Sequence, residues 1–143
     1  MPFVVDNSLV VAWFFPIQAT DYTDSVLDRL KADTAHVPAL WVLEFSNVLR
    51  KAVMGRKLAT ESALEIIAEA EKLPLSVDYS ATTTAANLEL ALWHGLSSYD
   101  AAYLDLAIRL GLPIAAKDGA LHNAARRAGV GAIFRPSRRA SAE

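Results

Sequence analysis

Short apolar runs alternate with longer amphipathic stretches along this chain, and the alternation lays out its elements. "FVV" at 3–5 is a β-branched and aromatic run that stops at Asp6, as a short buried strand would. "SLVVAWFF" then reads as a helix, with Asn7 or Ser8 as its cap and Pro16 as its limit. Over 20–32, Tyr22, Val26, Leu27 and Leu30 recur at helical intervals, and "AHV" at 35–37 is a second strand. Pro38 suits the first turn of the next helix, which runs through "ALWVLEFSNVLRKAVM" to a stop at Gly55. Thr60 and Glu61 open another helix that ends near Pro74, and "LSVD" at 75–78 is a third strand. A helix over roughly 80–93 stops at His94 and Gly95, and one from about 98 to 110 stops at Gly111. "PIAA" at 113–116, a helix over "GALHNAARRAG" and the strand "GAIF" complete the pattern.

Apolar strands alternating with helices predict a parallel sheet covered on both faces, an α/β fold. No repeat, interior linker or composition break divides the chain, so one domain over 1–135 is expected, with the polar tail 136–143 fraying. Trp13, Trp41 and Trp93 fall in apolar helical segments and are expected in the core. At 143 residues, 53% of them apolar and 21% charged, the chain is long enough and apolar enough to bury a real core.

No apolar run approaches the roughly 18–20 residues that span a bilayer. The apolar opening lacks a basic leading region and carries Asp6 in its middle, which argues for strand and helix over signal peptide. The absence of cysteine removes disulfides, thiolate nucleophiles and Cys-ligated zinc, and fits the cytoplasmic location expected here. A net charge of −2 predicts no strong non-specific grip on nucleic acid. With four carboxylates occupied by metal, however, twelve acids would face fourteen bases.

Ligands of parallel α/β sheets bind outside the carboxyl ends of the strands, and Asp6 and Asp118 directly follow strands. Each also has a plain reading as a cap or turn residue, at about even odds. Asp78 follows a strand too, but there an acid simply favours the helix start expected next. Glu44 is harder to set aside. Glu44, Asn47 and Lys51 form one stripe at i, i+3 and i+7, yet Trp41, Val42, Leu43 and Phe45 leave little room for a broad wet face. A charge there faces a polar cleft more plausibly than solvent, because unpaired burial is costly.

Ser97-x-x-Asp100 matches a capping box, which needs no function. Asp105 lies five residues on, about 140° around the helix, so at most one of the two aspartates reaches a common site. Asp100, on the first turn, is the better candidate; Asp105 has Arg109 at i+4 as a partner. If Asp6, Glu44, Asp100 and Asp118 converge, their repulsion demands a cation, and all-carboxylate ligation suits Mg²⁺ or Mn²⁺. Such sites typically act on phosphate esters. His36, His94 and His122 are scattered, with edge or surface roles expected, and no serine elbow, P-loop or dinucleotide fingerprint is present.

"FVVDNSLVVAWF", "PALWVLEFSNVLRKAV", "LSSYDAAYLDLAIRLGLPIAAKD" and "ALHNAARRAGV" together resemble the PIN domain, and within it the VapC toxins of prokaryotic toxin–antitoxin pairs. The resemblance spans nearly the whole chain and implies a PIN-like fold: a five-stranded parallel sheet with helices on both faces. It implies that Asp6, Glu44, Asp100 and Asp118 bind Mg²⁺ or Mn²⁺ and that the protein is an endoribonuclease cutting single-stranded or loop RNA, often tRNA or rRNA. It further implies a homodimer silenced by a VapB-type antitoxin; the lack of a membrane-spanning run leads to no membrane partner being expected. Ser8 matches a small hydroxyl position after the first aspartate, and Asn47 a polar position after the helix glutamate. The family often has Thr or Ser two residues before the last acid, where this chain has Ala116. Arg50, Lys51 and Lys117 are candidates for guiding an RNA backbone; Lys117 could equally point to solvent. Two other classes stay open: a phospho-acceptor signalling domain, for which the acidic pair after the first strand is missing, and a catalytically inactive PIN-like interaction module.

Overall fold

The central strand sets the architecture. In the computed structural model, which describes residues 1–80 and 82–133, β1 (Phe3–Val5) has all three residues at 0% exposure. Successive strand residues point to opposite faces, so such a strand needs cover on both sides. β2 (Ala35–Pro38) and β4 (Ile114–Ala115) flank it, and β3 (Leu75–Asp78) pairs outside β2, giving the order β3-β2-β1-β4 with every pairing parallel. Parallel pairing brings all the carboxyl ends to one edge, where Asp6 and the loops after Pro38, Asp78 and Ala115 emerge together.

The connections are helical. α1 (Asn7–Phe14) buries Leu9, Val10, Val11 and Ala12 and lies against α2 (Asp21–Arg29) and α3 (Leu40–Met54). α2 begins with a reciprocal capping box between Thr20 and Thr23. α4 (Thr60–Glu71) leans on α3, and α5 (Thr84–His94) packs on α6 (Ser98–Leu110). α6 lies across β1, β2 and β4, burying Ala101, Tyr103, Leu104, Leu106 and Ala107; Gly111 ends it at φ 67°, a conformation costly for any side chain with a Cβ. α7 (Gly119–Arg127) closes against β4 and α6. Among the described residues, no helix is long and apolar enough to cross a membrane.

Four expectations need correction. Among the described residues the sheet has four strands, not five: Ala132 makes a single parallel bridge to Ile114. Gly131, at φ 84°, takes the chain out of extended conformation just before that bridge. Pro38 does not enter the next helix; it ends β2 opposite Asp78, and α3 starts at Leu40. α5 starts at Thr84, about four residues late, because the Thr83 hydroxyl accepts from the Ala86 N–H and caps the helix there. Trp93 is 82% exposed, not core, because α5 lies on α6 instead of on the sheet and buries only Ala91. Trp13 and Trp41 are half-buried against the core. The tail 136–143 and Phe134 lie outside the described residues.

Leu104 is fully buried beneath the sheet. Leu104→Ala should therefore cost about 2–5 kcal/mol, read as a lower urea midpoint with an unchanged m-value.

Candidate functional site

Three different local rules deliver acids to the carboxyl edge. Asp6 is the N-cap of α1 by position, yet its carboxylate makes no capping bond; instead Oδ2 accepts from the Ser8 hydroxyl at 2.6 Å. Asp118 does cap α7, accepting from the Ala120 N–H at 2.9 Å, and its side chain is exposed. Asp100 sits in the first turn of α6. Only the Ser97 half of the expected capping box is made, Ser97 Oγ accepting from the Asp100 N–H at 3.0 Å. The Asp100 carboxylate is left for the cleft.

Glu44 comes from the second turn of α3 and is half-buried. Its Oε1 accepts from the Tyr103 hydroxyl at 2.7 Å, which shows that the polar stripe on α3 turns inward at its start. Asn47 and Lys51 on the same stripe are exposed, as is Arg50. Lys51 lies two turns beyond Glu44, about 10 Å along the helix. Lys117 does not point freely to solvent: its Nζ donates to the Gln18 carbonyl at 3.2 Å. Asp105 faces away from the acids, bonded to Arg109 Nε at 2.9 Å; Arg109 also lies 3.7 Å from Asp78.

The four acids share one electrostatic field. Burial pushes the Asp6 carboxyl above its ordinary value of 3.8; the Ser8 hydroxyl and the Asn7 and Ser8 N–H groups oppose this, and Asp118 adds to it. Burial also raises Glu44 above 4.5, against the pull of the Tyr103 phenol, with Asp6 and Asp100 adding repulsion. Asp100 rises through burial, then through Asp6 and Asp118. Asp6, Glu44 and Asp100 thus each feel at least one other acid of the set.

Among the described residues, no three acid or imidazole groups close into a ready coordination shell. The set is nevertheless suited to a hard cation that keeps much of its water. Mg²⁺ binds in this way, through one or two carboxylates instead of an all-protein cage. Carboxylate oxygens without sulfur or imidazole also match Mg²⁺ or Mn²⁺ better than zinc.

Two residues at the site escaped sequence reasoning. Tyr103 drew no reading from the sequence, and nothing in its spacing announces that its hydroxyl reaches α3. His122, expected at an edge or surface, is half-buried; its Nε2 accepts from the Ala116 N–H at 3.0 Å and lies 3.3 Å from the Tyr22 hydroxyl. Accepting at Nε2 places the neutral ring's proton on Nδ1. Burial lowers the His122 pKa, against the opposing pull of Asp118 and Asp6. The imidazole therefore anchors the turn that carries Asp118, at the residue where a hydroxyl side chain is missing. A separate apolar groove of about 460 Å³, lined by Trp41, Phe45, Ile67, Val77 and Tyr79, contains none of the four acids.

The family model described as "PIN domain" matches residues 3–127. No curated protein matches the chain in sequence. Among solved structures, the crystal structure of PAE2754 from Pyrobaculum aerophilum is similar in fold, with a TM-score of 0.65 at 20% identity. That alignment covers 87% of this chain and 79% of the other.

The raised carboxyl pKa values fix the sign of a pH effect. Between the ordinary and the raised values the folded protein binds more protons than the unfolded one, so these groups make the metal-free protein lose stability as pH rises. Asp100→Asn should raise the metal-free Tm at pH 7, and raise it less near pH 4, where protonation already relieves the repulsion. Thermal melts in chelator at both pH values check this.

Proposed function

Because the chain belongs to the PIN domain family, a family of nucleases often found in toxin–antitoxin systems, we propose that it is a divalent-metal-dependent endoribonuclease of the VapC toxin type. The observation that carries this reading is the gathering of Asp6, Glu44, Asp100 and Asp118 about the carboxyl edge of a parallel sheet, near enough that Asp6, Glu44 and Asp100 each feel another acid of the set. A cluster of like charges held at one edge is poor as structural support and good as a cation trap.

In this reading Asp6, Asp100 and Asp118 hold one or two Mg²⁺ or Mn²⁺ ions, and Glu44 helps hold the metal or orients the attacking water. Bound there, the ion supplies Lewis-acid polarisation of a phosphoryl oxygen and an acidified water. Hydrolysis adds water oxygen to phosphorus and breaks the bond to the 3′ oxygen, leaving a 5′-phosphate and a 3′-hydroxyl without a histidine pair. The Ser8 hydroxyl steadies the Asp6 carboxylate through Oδ2. Asn47 and Lys51, further along the Glu44 face of α3, would meet the RNA backbone leaving the cleft, with Arg50 beside them. Lys117 sits next to Asp118 at the other side, its amine within reach of a phosphate if it releases Gln18. The same family reading supplies the proposed partners: single-stranded or loop RNA, a cognate VapB-type antitoxin and a second copy of the chain.

The open spacing of the acids favours one alternative, a PIN-like interaction module without catalysis. Isothermal titration separates the two, since a module has no need to bind Mn²⁺ through these side chains.

Loss of a residue that only supports a metal ligand already costs about 10–100-fold. Asp6→Asn and Asp100→Asn should therefore each reduce RNA cleavage at least about a hundredfold while keeping a folded circular dichroism spectrum. Chelation should abolish cleavage, and Mg²⁺ or Mn²⁺ should restore it. Undiminished cleavage by either variant, with contaminating nuclease excluded, would sink the assignment.

A further inference from the structure

We propose that Tyr103 is the positioning residue for Glu44: its buried phenol holds one oxygen of that carboxylate and leaves the other to face the acid cleft and a divalent cation. The inference rests on the nuclease reading above and adds to it a residue outside the acid set.

Tyr103 is 0% exposed and stands three residues after Asp100 on α6, so one helix both supplies an acid and restrains another. Its hydroxyl donates to Glu44 Oε1 at 2.7 Å, between residues 59 positions apart in sequence. The Asn7 N–H faces the phenol oxygen from the junction that carries Asp6. One side chain thus touches Glu44, shares a helix with Asp100 and meets the backbone N–H next to Asp6.

The physical need for such a restraint follows from the charges. Glu44 has a long, flexible side chain, and Asp6 and Asp100 both repel its carboxylate. Left alone, it would swing outward to water. A tyrosine has only two side-chain torsions, and packing within the core fixes both. Its O–H therefore defines one point in space to which the carboxylate returns. Because the phenol is a neutral donor, it orients Glu44 without cancelling the charge that a cation needs. The ordinary alternative is that a buried tyrosine hydroxyl simply needs an acceptor. That role concerns stability, whereas positioning concerns ion affinity.

Isothermal titration of the full chain with Mn²⁺ tells them apart, using wild type, Tyr103→Phe, Glu44→Gln and the double variant, each checked by a metal-free thermal melt. Tyr103→Phe should weaken Mn²⁺ binding about tenfold, and Glu44→Gln at least as much. The double variant should match Glu44→Gln alone, because the phenol acts only through that carboxylate. Glu44→Asp, too short to meet the phenol, should lose a comparable factor and gives a second route if Tyr103→Phe folds poorly. Unchanged affinity in Tyr103→Phe or Glu44→Asp, or losses that simply multiply in the double variant, would overturn the positioning role while a loss in Glu44→Gln preserved the nuclease reading. Absence of Mn²⁺ binding by wild type would overturn both.

Discussion

Repulsion among carboxylates held at one edge of the sheet is the constraint on which the rest of this protein depends. Charges of one sign separate unless something stiffer keeps them together or a counter-ion joins them. Here the stiff element is the core directly below. β1 is buried on both faces, and α6, with five buried residues, lies across three of the four strands. The apolar burial that stabilises the fold also fixes the starting points of Asp6, Asp100 and Asp118, so relaxing the repulsion would mean disturbing the core.

Proteins accept such local cost where function requires it. The acid edge departs from local rules in several places at once. An aspartate in N-cap position makes no cap, a capping box is half-formed, and a glutamate turns inward from a mostly apolar helix turn. Each departure frees or aims a carboxylate. Asp118 alone satisfies its local duty, capping α7, and it is also the most exposed of the four.

Supporting groups come from residues with no charge to add. Ser8 donates to Asp6, Tyr103 to Glu44, and His122 accepts from the backbone ahead of Asp118. All three are neutral hydrogen-bonding partners, which direct the acids or their loop without competing for a cation. His122 also bears on the alanine at 116. A hydroxyl there is absent, but the backbone at the same residue is tied to an imidazole from the following helix.

Much of this was legible in the chain. The strand and helix alternation, the ends of α6, the placing of Asp6 and Asp118 after strands and of Asp100 in a first helical turn, and the Asp105–Arg109 pair follow from local pattern, because helix periodicity, capping and i,i+4 pairing act within a few residues. Part of what failed in the sequence reading depended on distant partners, and part, such as the start of α5 at its Thr83 cap, was local. Trp93 looked like core because its segment is apolar, and only the stacking of α5 on α6 put it in solvent. The last strand looked complete because its residues are apolar, while the described residues past the turn at Gly131 make a single bridge. The reach of Tyr103 to Glu44 and the anchoring by His122 required elements far apart in sequence to meet. The sequence by itself determined which residues could carry charge and which segments would pair or coil. Only the tertiary structure decided which of those charges share a field, since Coulomb coupling depends on distance in space and not on spacing along the chain.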